Sequence, residues 1–151
     1  MATPRDEVRA RLHRFGLERD RLRATLARAL DVAPRELDAL EHLEADGPLT
    51  QQELGRRLVL TSGGVTVLVD RLERAGLVER TPHPSDRRAL LVRTAARADE
   101  RIPPPLARYH EEIAEAACAL STSSRSELAG FLEAVTAAAA RAADELAGRR
   151  S

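Results

Sequence analysis

The residues best placed to do chemistry are two adjacent arginines, Arg87 and Arg88, at the end of the connector Pro82-His83-Pro84-Ser85-Asp86-Arg87-Arg88. An arginine held out on a hairpin can enter a narrow minor groove, where the negative potential is strongest and a bulkier scaffold cannot follow. A second group lies upstream: Gly63, Val67, Asp70 and Arg74 fall on one stripe of a helix, with Thr66 and Arg71 on its flanks. Such a face lacks large side chains and has donors at its edges, as a helix needs if its backbone is to approach base edges in a major groove. A third group is acidic. Glu111 and Glu115 share a helical face beside His110, but a carboxylate di-metal site needs Glu three residues before His, and position 107 is Ala107. That face is read as solvated. No glycine-rich phosphate loop, G-x-S-x-G turn or HExxH run occurs, so nothing in the sequence builds an enzyme site.

The elements that must position the first two groups follow one another without a spacer. Thr50 and Glu53 form a capping box, which satisfies orphan amides at a helix start, and Leu54 and Leu58 supply that helix with a buried face. Val65, Leu68, Val69 and Leu72 recur at i, i+3, i+4 and i+7, the buried stripe of a second helix that Gly76 closes. Gly63 and Gly64 near its start keep the outward side clear. Leu77 to Arg80 and Ala89 to Arg93 then read as two short strands joined by the turn-rich connector. Two helices and a hairpin in this order predict a helix-turn-helix with a β-wing.

This segment resembles the winged helix of the MarR family of bacterial transcription regulators. The likeness rests on Val65-Thr66, Asp70-Arg71-Leu72-Glu73, Gly76-Leu77-Val78-Glu79-Arg80, Asp86-Arg87-Arg88 and Leu91-Val92-Arg93-Thr94. It implies that Arg88 enters the minor groove, that Asp86 steadies it and that Arg87 meets a phosphate. With the helix residues, the implied contacts to double-stranded DNA are Thr50, Gln51, Ser62, Gly63, Gly64, Thr66, Val67, Arg71, Arg74, Asp86, Arg87 and Arg88. Two departures stand out: many relatives carry a polar or basic residue where this chain has Val67, and the Leu-Thr-x-x-Gly that often follows the wing is replaced here by Arg93-Thr94-Ala95-Ala96-Arg97.

Composition agrees with this reading without having produced it. The chain has 151 residues, 24 basic and 24 acidic, with net charge zero. Every basic residue is arginine. Such a balance argues against a protein that coats nucleic acid indiscriminately, so any affinity for DNA must come from local patches. Charge is uneven along the chain: the first thirty residues and the winged segment are arginine-rich, whereas Asp31 to Asp46 is mostly acidic. No apolar run reaches the length of a membrane span and the N-terminus lacks the apolar core of a signal peptide, so the protein is expected in the cytoplasm, without a membrane partner. A single cysteine, Cys118, rules out an intrachain disulfide and any cysteine zinc site; it is read as a small buried hydrophobe. No metal or cofactor is expected.

The remaining sequence reads as helix. A first helix over about 5–30 carries Val8, Leu12 and Phe15 and then Leu22, Leu26 and Leu30, with Gly16 as a possible dividing point. Pro34 opens a second, which Asp46-Gly47-Pro48 stops. Pro103-Pro104-Pro105 interrupts any helix begun near Thr94, and a further helix runs over about 106–120. Ser124 with Glu127 reads as a capping box opening the last helix, whose apolar face is Leu128, Phe131, Leu132, Val135 and Leu146. The expected fold is therefore mainly α with a small β-wing: residues 1–33 and 94–151 flank a winged helix-turn-helix at 34–93. One subunit cannot bury all these faces. The resemblance implies a homodimer in which the terminal helices of two chains interlock, setting two recognition helices about 34–36 Å apart on a palindromic site. It also implies a small aromatic or phenolic effector between the dimerisation helices and the winged domain, for which His13, His42 and Tyr109 are the polar-ring candidates. The rival reading is a winged-helix module that binds protein. The arginines at the wing tip argue against it.

Overall fold

The computed structural model describes residues 3–86, 89–101 and 103–148, with the Asp99 side chain outside that description. The fold is mainly α with one small antiparallel sheet, and it divides into two compact units, Met1–Pro103 and Pro104–Ser151. In the first unit α1 (Pro4–Leu30) and α2 (Pro34–Asp46) lead into β1 (Leu49–Thr50), α3 (Gln51–Leu58), α4 (Ser62–Arg74), β2 (Val78–Pro82) and β3 (Leu90–Thr94); a 3-10 turn (Ala98–Arg101) follows. Arg101 reaches back to donate to the carbonyl of Ala75 behind α4.

Local chemistry sets the helix ends. Thr3 caps α1 by accepting from the Asp6 amide while Asp6 bonds back to Thr3, a hydrogen-bonded arrangement that also lowers the Asp6 pKa. Helix α1 is continuous through Gly16: an interior glycine costs a helix about 1 kcal/mol and does not by itself break it. Pro34 occupies the first turn of α2, as its spacing predicts. Ala33 cannot cap with its own side chain, and the carboxylate of Glu36 accepts its amide instead, at 2.7 Å. Thr61 caps α4 through the Gly64 amide. At its other end Gly76 adopts φ +69°, and the amides of Gly76 and Leu77 return to the carbonyls of Glu73 and Leu72. These are the two bonds of a Schellman stop, which requires a residue that tolerates the left-handed region.

The sheet has the order β1-β3-β2, antiparallel throughout, with Arg80 opposite Val92 and Thr50 opposite Leu91. The hairpin strands lie within a residue or two of their predicted bounds. The third strand, β1, was not expected. Side chains from every element of the wing and its three supporting helices build one core: Ala39, Leu43, Leu49, Leu54, Leu58, Val65, Leu68, Val69, Leu72, Leu77, Val78 and Val92. Helix α1 contributes no residue to this core. Its only buried residue is Ala27, and Arg23 fastens it to α2 through Asp38 and Glu41. Burial alone would lower the Arg23 pKa, but hydrogen bonds and charge from those two carboxylates outweigh it and leave it raised.

The second unit holds α5 (Pro104–Cys118) and α6 (Thr122–Gly148), and neither contains a buried residue. Two sequence expectations fail here. Cys118 is exposed rather than buried, because it ends a helix that has no covered face in the single chain. Helix α6 begins one turn earlier than Ser124: the Ser124 amide donates to Ser121 Oγ at 3.1 Å, making Ser121 the capping residue, while Glu127 receives Ser123 Oγ. Among the described residues no helix is long and apolar enough to cross a membrane.

Candidate nucleic-acid interface

The geometry of the site begins where α3 crosses α4. The two helices approach closely because Gly55 has no side chain: a Cβ there would stand 2.9 Å from Cγ2 of Val65 and force one helix to move. Thr50, the N-cap of α3, accepts from the Glu53 amide at 3.2 Å and donates to its carboxylate at 2.7 Å. Those bonds from Thr50 hold the Glu53 pKa below its ordinary value. At the far end of α3, Arg57 pairs with Asp46 at the end of α2. A groove of about 580 Å³ opens between the two helices, lined among others by Gln51, Arg56, Leu60, Ser62 and Thr66.

Arg80 joins the wing to this pair of helices. Its side chain is largely buried and meets Asp70 Oδ1 at 2.6 Å and the Glu73 carboxylate, both on α4. With the Gln51 amide turned so that each end finds a partner, its carbonyl accepts from Arg80 at 3.0 Å and its NH2 donates to Thr66 Oγ1 at 3.2 Å. One guanidinium thus fixes the first residue of α3, the outer edge of α4 and the base of the hairpin. The sequence reading missed it. The available signal is period two: Arg80 follows buried Val78 by two residues, so it shares the core side of β2, where a charge needs partners.

Glu36, also missed, is a buried charged residue at 4% exposure. Besides accepting the Ala33 amide it pairs with Arg71 Nε at 3.0 Å, which draws the guanidinium of that side chain from α4 toward α2 while the side chain stays about half exposed. Arg74 bonds through Nε to the carbonyl of Asp70, one turn back on its own helix. Thr66 donates to the Ser62 carbonyl at 3.0 Å. Gly63 has nothing within 4 Å of where a Cβ would sit, and Val67 is exposed. The helix residues singled out in the sequence therefore lie on or beside one face, with Gly64 in the capping turn.

At the wing tip His83 organises the turn. Its Nδ1 accepts from the amides of Ser85 and Asp86, both at 3.2 Å, while its own amide donates to Ala89. Asp86 is exposed in this turn. Arg87 and Arg88 lie outside the described residues. Across the hairpin stem Arg93 pairs with Glu79 at 2.6 Å. Of the effector candidates, His13 sits exposed on α1 beside a shallow concavity lined by Arg9, Leu12, Gly16, Leu17 and Asp20 of that helix. His42 lies on α2 with Nδ1 3.8 Å from Asp46. Tyr109 belongs to the second unit, its ring centroid 5.7 Å from that of His110.

A capped helix pair, a clear outer face on the second helix and a hairpin clamped to it define a winged helix-turn-helix. Residues 30–89 match the sequence model of the MarR family. The HTH-type transcriptional regulator YcgE of Bacillus subtilis is 46% identical over 66 residues, 44% of this chain and 43% of that protein. Its YkoM regulator is 33% identical over 100 residues, 66% of this chain and 65% of that one. These alignments thus span roughly half to two thirds of the relatives' own lengths. The structure superposes on the transcriptional regulator Tm0710 of Thermotoga maritima with a TM-score of 0.60 at 25% identity, covering 89% of this chain and 95% of that one. Over its winged helix-turn-helix the chain is therefore similar to the MarR family, and the relatives it matches are named as transcriptional regulators.

Proposed function

We propose that this protein is a sequence-specific double-stranded DNA-binding transcription regulator, a repressor that acts as a homodimer on a palindromic operator and is released by a small aromatic or phenolic effector. The observation that carries the DNA reading is α4 itself, whose outer side bears Gly63 and Val67 with no bulky side chain between them and solvent, flanked by exposed Arg71 and Arg74. Homodimerisation is supported by Ile113, Leu128, Phe131, Leu132 and Leu146, large apolar side chains left exposed along α5 and α6. A soluble chain does not keep such a stripe in water unless something covers it. Repression and release rest on the family resemblance, with His13, His42 and Tyr109 as the residues to probe for effector contacts.

The test uses duplexes that the purified protein retains from random sequence. Arg88→Ala should weaken binding by about 1–3 kcal/mol, most on sites with a narrow AT-rich minor groove, while circular dichroism stays unchanged. Fluorescence anisotropy over a salt series measures it. Binding within about twofold of wild type at every salt concentration would make the wing idle and favour a protein-interaction module.

A further inference from the structure

Most polar side chains of α4, though solvent-accessible, already have a partner within the protein. Thr66 donates its hydroxyl hydrogen to the Ser62 carbonyl and accepts from Gln51. Asp70 and Glu73 are held by Arg80. Arg71 is anchored by Glu36 and Arg74 by a backbone carbonyl one turn back. What remains at the centre of the outward stripe is Val67, 60% exposed, next to the open space over Gly63 one turn before it. An exposed valine on the outward stripe, with exposed Arg71 one turn and Arg74 two turns further along the same helix, is placed for an apolar contact beside basic side chains.

Resting on the DNA reading above, we infer that Val67 is a specificity-determining residue that reads the 5-methyl group of thymine in the major groove. In that groove thymine presents one apolar group, its C5 methyl, and apolar side chains recognise it by contact. Gly63 lets the base edge approach the helix backbone, and the saturated hydroxyl of Thr66 leaves that residue its methyl group to add on the flank. Arginine contacts to phosphate would fix the register of the helix on the duplex but carry no sequence information. Discrimination at the bases that α4 faces is therefore of the methyl-contact kind rather than bidentate hydrogen bonding.

The experiment replaces thymines by uracil, one at a time, in a duplex recovered by selection on the full-length protein. Uracil differs from thymine only by the missing methyl, so base pairing is retained and the protein is untouched. At one thymine in each half-site, affinity should fall about fourfold, the factor that burying one methyl group carries. The same substitution should leave affinity nearly unchanged for Val67→Ala, whose weaker binding already lacks the contact. Uracil without effect at every position, or an equal loss in wild type and Val67→Ala, overturns the methyl contact while DNA binding stands. Failure to retain any duplex overturns the DNA reading itself, and this inference with it.

Discussion

Two stripes in this molecule have identical spacing and opposite fates. Val65, Leu68, Val69 and Leu72 on α4 are all buried, at most 6% exposed, whereas Leu128, Phe131 and Leu132 on α6 are 38–47% exposed. Both series run i, i+3, i+4, with the fourth member at i+7. The difference is in what surrounds them. Helix α4 is wrapped within a few dozen residues of chain by α2, α3 and the hairpin, so its apolar face is closed by local partners. Helix α6 has a face as apolar and no buried residue. Periodicity reports that a face wants covering; it does not say whether the cover lies in the same chain.

The largest expected effect breaks the comparison outright. Deleting residues 122–151 removes the exposed stripe of α6, and the remainder should sediment as monomer or aggregate. A well-folded dimer of the truncated chain in analytical ultracentrifugation would place the interface elsewhere. Next come matched truncations of single side chains. Leu72→Ala should cost about 2–5 kcal/mol through the cavity it leaves, with a loss of Tm independent of protein concentration. Leu132→Ala should instead make Tm depend more steeply on concentration, since its cost falls on association. If both variants respond to concentration alike, the two stripes are not different in kind.

How far the sequence reaches can be judged from particular residues. The capping box at Thr50, the buried stripe of α4, the stop at Gly76 and the hairpin were legible because each is a local pattern with one physical cause. Strand β1 was not: two residues, Leu49 and Thr50, have no period to detect, and they pair with β3 only because the fold brings it there. The cap of α6 was misplaced because Ser121 and Ser124 both qualify and the Ser124–Glu127 spacing imitates a capping box better. Nor could spacing foresee the anchors. The ion pair of Arg71 with Glu36 spans 35 positions and the hydrogen bonds from Arg80 to Gln51 span 29, long-range contacts with no local signature. The contacts expected of Arg87 and Arg88 rest on sequence alone.

The smallest effect probes the winged unit at its most local joint, the Thr50 cap. Thr50→Ala removes the hydroxyl that accepts from the Glu53 amide and donates to its carboxylate, and losing such a cap costs about 1 kcal/mol. The bonds from Thr50 lower the Glu53 pKa from 4.5, so this carboxylate favours the folded state when ionised. Its contribution is complete above that unperturbed value and is lost as pH falls through the lowered folded one. Wild type should therefore lose stability over this acid range faster than Thr50→Ala, in which the folded pKa returns toward normal. Urea midpoints for both proteins at a series of pH values between about 3 and 7 measure the difference, which should narrow as the pH drops. A gap that stays constant with pH would mean that the Thr50 hydroxyl acts through the Glu53 amide alone and not through its carboxylate.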